Sequence, residues 1–181
     1  YWKFYRHDSI THIVALLGVL LFGVERGLLI GILVAVALFV RRSSRPHIAI
    51  VGRVGDSAHF RNELRYQVAT HPHVMAVRID ENLYFANANL VETRLLRLVS
   101  RNAKIRHLLL VCSAINFIDT SGLEMLERVD RELMRRDVQL HLSEVKGPVM
   151  DQLNASDLPR ELSGRIFFTT DEAMRELAKI G

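Results

Sequence analysis

Between Ile13 and Val40 the chain is almost uninterrupted hydrophobe, and no other stretch limits its folding as strongly. The run IVALLGVLLFGV (13–24) leads into Glu25-Arg26-Gly27 and then into LLIGILVAVALFV (28–40). At about 1.5 Å of rise per residue, each run reaches just under about 20 Å, short of the roughly 30 Å hydrocarbon core of a bilayer. Read as one helix, the stretch would reach about 42 Å and would bury Glu25 and Arg26 near the bilayer centre at a cost of several kcal/mol. Two short helices with a turn at Glu25-Arg26-Gly27 put those charges at the bend, and this membrane hairpin is the preferred reading. Lys3 and Arg6 precede it and Arg41, Arg42 and Arg45 follow, so the positive-inside rule places both ends in the cytoplasm. Two runs with an Arg-rich stop are unlike a secretory signal peptide. Helices this short, interrupted by Gly18, Gly23, Gly27 and Gly31, are best tolerated where neighbouring helices cover them, as in transporter bundles. A simple hydrophobic anchor for a soluble domain is the alternative. The first residue is Tyr1 rather than Met, which suggests a piece of a longer chain.

The whole chain excludes several classes of function. Among 181 residues, 49% are hydrophobic, too many for a disordered chain. A net charge of +4, from 24 basic and 20 acidic residues, is too modest and too dispersed to indicate nucleic acid. The single cysteine, Cys112, excludes a disulfide scaffold and a multi-thiolate zinc site, and it ends an apolar run as a buried small hydrophobe would. The eight histidines lack a metal-ligand pattern: His71 and His73 flank a proline, and His107 and His141 lie beside or within strands. No G-x-S-x-G elbow, H-E-x-x-H motif or acid–base carboxylate pair is present, so no enzyme is expected. The Gly52 to Gly55 pair is no phosphate loop, and no cofactor is implied.

A second unit begins at Arg45-Pro46, where proline breaks the helix. The division is therefore 1–45 and 46–181. Strands are predicted over His47–Val54, Val74–Ile79 (continuing in buried character at Leu83-Tyr84-Phe85), Leu108–Cys112, Val138–Leu142 and Ile166–Phe168. Helices are predicted from Asn89, with Glu92 at capping-box spacing and an apolar stripe of Val91, Leu95, Leu98 and Val99; from the Ser121 region, with a stripe of Leu123, Leu126, Val129 and Leu133; over Val149–Leu153; and from Thr169-Thr170-Asp171-Glu172 to Ile180. Arg128, Arg131, Arg135 and Arg136, interleaved with acids, read as a solvated helix face. The fold class is α/β, a mixed sheet of about five or six strands with about four helices.

Asp119-Thr120-Ser121-Gly122 stands at a strand-to-helix junction, and two readings are open. Ser121 with Glu124 has capping-box spacing, which needs only a structural hydroxyl. The same helix start would also stabilise an anion or a phosphate on Ser121. At these residues the sequence resembles the STAS domain, shared by bacterial anti-sigma-factor antagonists and the tails of SulP-type anion transporters. INFIDTSGLEML is similar to the family's D-[ST]-S-G-L segment, in which the antagonists carry their phosphorylated serine. The apolar segment GVLLFGVERGLLIGILVAVALF, the junction RSSRPHIAIVGRV, and RIDENLYFANANLVETRLLRLV resemble the end of a SulP permease.

That resemblance implies a STAS-like domain at 46–181 facing the cytoplasm, preceded by the last two short helices of an inner-membrane transporter. Substrate-binding residues are expected upstream of the fragment. It also implies a secondary-active carrier of sulfate, bicarbonate or a related inorganic anion or small dicarboxylate, a homodimer contacting membrane lipid, and a STAS domain that regulates, supports the dimer and meets a cytoplasmic protein partner. Asp119, Thr120, Ser121 and Gly122 are the candidate phosphoacceptor or regulatory loop. The alternatives are a membrane-tethered signalling switch phosphorylated at Ser121 and, more weakly, a nucleotide-binding module at the same helix start.

Overall fold

The computed structural model describes residues 6–180 and divides into two compact units, Tyr1–Arg45 and Pro46–Gly181. In the first unit, α1 (Arg6–Phe22) and α2 (Val24–Ser43) are separated by the single residue Gly23. Gly23 has φ 85°, a left-handed conformation that glycine enters without the steric penalty a side chain brings. The two helices pack backbone to backbone where glycines face each other. A Cβ on Gly27 would lie 2.2 Å from the Val19 nitrogen, and one on Gly18 would lie 3.1 Å from the Gly27 Cα. The expected hinge is therefore corrected. The break is at Gly23, and Glu25, Arg26 and Gly27 belong to the first turn of α2, with Glu25 near the positive end of the helix dipole. Leu16, Leu20, Leu28, Leu33 and Phe39 are exposed. No helix among the described residues is long and apolar enough to cross a membrane.

The second unit is built on a six-stranded sheet in the order β2-β1-β3-β4-β5-β6. Its strands are β1 (Ile48–Arg53), β2 (Phe60–Asn62), β3 (Val74–Ile79), β4 (His107–Val111), β5 (Gln139–Ser143) and β6 (Ile166–Phe167). Pairing is antiparallel from β2 through β1 to β3 and parallel from β3 to β6. Helices α3 (Ala88–Ser100), α4 (Thr120–Met134), α5 (Gly147–Asn154), α6 (Leu158–Glu161) and α7 (Thr170–Leu177) complete the unit.

Side chains alternate across the sheet with period two. Val77, Ile79, Leu108, Leu110, Leu140 and Leu142 enter the larger core with Val91 and Leu95 of α3 and Met125, Val129 and Leu133 of α4. Ala49, Val51, Ala76, Leu109 and Val111 enter the other with Ala173, Met174 and Leu177 of α7. Because both faces are covered, every residue of β4 is buried, which is why Leu108 to Val111 form a continuous apolar run.

Four local features differ from the sequence reading, and two of them are elements that were not predicted. Phe60–Asn62, within a polar stretch, forms the edge strand β2 by pairing with β1. Leu83 to Phe85 turns away from the sheet: Leu83 makes a lone bridge to Ile118, and Phe85 is exposed. Helix α3 starts at Ala88, ahead of Asn89, because Asn87 ties down the preceding turn, accepting from the Tyr84 amide at 3.1 Å and donating to the Asn82 carbonyl at 2.7 Å. The fourth is the short helix α6, which lies outside the apolar patterns read from the sequence.

Candidate functional site at the start of the fourth helix

Helix α4 leaves the end of the β4 crossover with Asp119 as its N-cap. One Asp119 oxygen, Oδ1, accepts from the Gly122 amide at 2.8 Å, and the other, Oδ2, accepts from the Phe85 amide at 2.9 Å. The Asp119 amide donates to the Leu83 carbonyl at 3.1 Å, and the Leu83 amide donates to the Phe117 carbonyl at 3.1 Å. This carboxylate thus does two things at once: it closes the helix end and clamps the 83–85 turn against it. The capping assignment made from spacing is corrected here, since Ser121 lies in the first turn and Asp119 takes the cap.

Gly122 is buried because the turn comes so close. A Cβ there would meet Ile118 Cγ1 at 2.7 Å and the Leu83 carbonyl oxygen at 2.8 Å. Asn82 braces the same loop from the other side, its Oδ1 accepting from the amides of Asn116 at 2.9 Å and Phe117 at 3.2 Å. The Ile118 amide donates to Gln152 of α5 at 3.1 Å, and Lys146 donates to the Asn116 side chain at 2.5 Å. Asn82, Asn116, Lys146 and Gln152 went unnoticed in the sequence. No local pattern shows the contacts of Asn82 to residues 34 or 35 positions away.

Two of the four predicted residues are therefore structural, and two remain presented. Thr120 is exposed and Ser121 half-buried. Their amides, in the first turn, have no acceptor within the helix. No hydrogen bond holds the Ser121 hydroxyl among the described residues. The helix end accordingly offers a hydroxyl, two amides and the positive dipole end of a 15-residue helix. Exposed Phe85 and Phe117 flank it.

Elsewhere the ionisable groups serve packing. Burial pushes the Cys112 thiol up to about 12, too high for a thiolate nucleophile. His107 and His141 meet in the interior, Nδ1 to Nε2 at 3.1 Å. The Arg165 amide donates to His141 Nδ1, so His141 must carry its proton on Nε2 and donate to His107. Burial, helped by His107 and Arg165, lowers His141 to about 4. Buried Asp130 accepts from both the amide and the hydroxyl of Ser163. For Asp80, burial acts upward, but hydrogen bonds from Arg78 and His47 outweigh it and hold the carboxyl low. No cluster of three or more His, Cys, Asp or Glu suited to a metal ion occurs among the described residues.

Comparison with known proteins decides the family. A family model described as the STAS domain matches residues 65–173. The chain belongs to the STAS family. Its curated relatives include sulfate transporters. It is 33% identical over 96% of its length to high affinity sulfate transporter 2 of Stylosanthes hamata. It is 32% identical, over the same share, to sulfate transporter 1.1 of Arabidopsis thaliana. The chain spans 28% of the length of each of these relatives. Among solved structures, the murine solute carrier 26 family member A9 anion transporter in its inward-facing state matches 99% of this chain and 30% of its own, with a TM-score of 0.89 at 17% identity. An anti-sigma factor antagonist from Thermotoga maritima matches only 57% of this chain, with a TM-score of 0.50 at 23% identity. The STAS fold is common to both, while the similarity that runs through residues 1–45 as well is to transporters.

Proposed function

We propose that the chain is the carboxy-terminal part of a secondary-active anion transporter, carrying sulfate, bicarbonate or a related small anion. In this reading residues 1–45 are a membrane-embedded hairpin and 46–181 a cytoplasmic STAS domain that regulates the carrier and supports its homodimer. The observation that carries the reading is that similarity to sulfate transporters covers 96% of the chain, hairpin included. The exposed leucines of α1 and α2 and their glycine-to-glycine packing support it, since such a pair is suited to an apolar surrounding that neighbouring helices complete. Neither helix alone has the length and apolarity of a span, so the upstream helices would supply the rest of the bundle and the substrate site. The STAS unit then contributes no chemistry of its own. The test is to purify the native gene product from detergent-extracted membranes, determine its mass and reconstitute it for sulfate and bicarbonate uptake. A membrane-bound product several-fold larger than 181 residues, with saturable uptake of either anion, is expected. A product of about this length without uptake would overturn the reading.

A second reading has one observation in its favour, the unbonded Ser121 hydroxyl beside two free amides. In it the chain is a membrane-tethered switch of the antagonist type, and phosphorylation of Ser121 governs release of a cytoplasmic protein partner. A phosphate there would meet the helix dipole and the Thr120 and Ser121 amides, although the Asp119 carboxylate next to it opposes the added charge. Partner binding that is unchanged in Ser121→Ala and in Ser121→Asp would remove this role.

A further inference from the structure

The arginines of α3 and α4 are balanced very differently. On α4, Arg128 pairs with Glu92 at 3.0 Å and lies 3.9 Å from Glu124, and Arg135 and Arg136 both pair with Glu132. Arg131 shares its cleft with the carboxylates of Glu92 and Glu132. On α3, by contrast, Arg94 and Arg97 are exposed, as is Arg101 at the C-cap, and none of the three guanidinium groups makes an ion pair or hydrogen bond among the described residues. The only acid on α3 is Glu92, already engaged by Arg128. Arg94, Arg97 and Arg101, spaced i, i+3 and i+7, line one side of the helix around a cleft floored by Leu98 and by Ile48 of β1. Like charges at this spacing repel, so an uncompensated row destabilises its own helix unless an external polyanion faces it.

From this row we infer a second membrane contact: Arg94, Arg97 and Arg101 form a docking surface for the phosphate groups of anionic lipids. The row is about 10 Å long, from seven residues at 1.5 Å each, too extended for one small oxyanion and suited to a sheet of headgroups. Its position in the chain points the same way. Ile48 is three residues past Arg45, the last of Arg41, Arg42 and Arg45, and three residues span at most about 11 Å. A surface that holds those linker arginines is therefore within reach of the cleft. The inference rests on the reading of residues 1–45 as membrane-embedded.

The test uses the full chain reconstituted in lipid nanodiscs, with an environment-sensitive fluorophore on Thr93→Cys, an exposed α3 position; the native Cys112 is buried. Discs of phosphatidylcholine alone are compared with discs containing phosphatidylserine. A blue shift that grows with phosphatidylserine and is reversed by salt is expected. In Arg94→Gln/Arg97→Gln/Arg101→Gln the half-maximal phosphatidylserine fraction should rise several-fold, while Arg135→Gln/Arg136→Gln should leave it unchanged. An equal shift on adding inorganic phosphate to phosphatidylcholine discs would assign the row to a free anion and overturn the lipid assignment. No shift in a chain that resists alkaline carbonate extraction from vesicles would overturn the docking surface alone. Release of the chain by carbonate would overturn the hairpin reading and the docking surface with it.

Discussion

The two units bring helices together by opposite means. In residues 6–45 the contact is backbone against backbone, made by Gly18 and Gly27, and the leucines point away from it. In residues 46–180 the leucines and valines make the contact, and close backbone approaches at Gly52, Gly122 and Gly164 hold loops rather than helix pairs. On the proposed reading of residues 1–45 as membrane-embedded, the difference follows from solvent. Water rewards burying apolar side chains at roughly 25 cal/mol per Å², so the STAS unit gathers them inside. An apolar surrounding offers no such reward, leaving van der Waals packing of small residues as the driving force between helices.

A matched pair of truncations breaks this comparison most directly. Leu110→Ala removes a fully buried side chain between β4 and the α3/α4 layer and should destabilise the STAS unit by about 2–5 kcal/mol. Leu20→Ala, at a residue 72% exposed, should change the stability of the chain in detergent by less than about 0.5 kcal/mol. Denaturant titration followed by circular dichroism measures both. Equal losses would mean that α1 buries its leucines and that the two units pack alike.

Acid should separate the units next. His141 is neutral in the folded STAS unit, lowered to about 4 by burial, then by His107 and Arg165, whereas an unfolded histidine titrates near about 6.5. Between these values the unfolded chain binds more protons, so stability falls as pH drops from about 6.5 and the loss levels off below about 4. The full shift corresponds to about 3 kcal/mol, reduced toward about 2 by solvent screening. Unfolding free energies of the intact chain across this range check the slope, and His141→Gln should flatten it. An unchanged slope would locate the acid sensitivity elsewhere.

The two glycine contacts give a smaller, sharper comparison. Gly122→Ala would push a methyl into Ile118 and the Leu83 carbonyl, costing about 1–3 kcal/mol and loosening the turn that Asp119 clamps. Faster hydrogen exchange at the Phe85 and Gly122 amides, with β4 unaffected, is the expected signature. Gly27→Ala should instead splay α1 from α2 and leave exchange in the sheet unchanged.

How far such contacts could be read in the sequence depended on their range. The apolar runs of β3 and β4 and the α4 stripe of Leu126, Val129 and Leu133 are local patterns set by backbone periodicity, and they appear where the sequence placed them. The hairpin break was misplaced by one helical turn because two glycines with different tasks stand close together: Gly23 supplies the left-handed residue and Gly27 the bare packing face. At the candidate site, Asp119-Thr120-Ser121-Gly122 was visible as a helix start, but the clamp was not. Its second half comes from Asn82, Leu83 and Phe85, more than thirty residues earlier, and a bond from a carboxylate to a distant amide leaves no trace in spacing. Strand β2 was hidden for a related reason, since a three-residue edge strand owes its form to its partner β1.

The smallest effect tests the contrast within the helical layer. Glu92 is the acid that α3 gives to α4, meeting Arg128 at 3.0 Å with both side chains partly exposed. Its removal in Glu92→Gln should cost no more than about 0.5–1 kcal/mol, because solvent and salt screen such a pair. The indirect consequence is more informative. With its partner gone, Arg128 keeps only Glu124, 3.9 Å away on its own helix, and α3 loses its single acid and becomes wholly basic on its polar side. Repulsion among Arg94, Arg97 and Arg101 is then less offset, so the loss should shrink as salt is raised toward about 1 M, where charges are screened within roughly 3 Å. A salt-independent loss would mean that Glu92 acts through packing against Leu96 and Arg128, and that the charge imbalance between α3 and α4 has no energetic weight in the isolated chain.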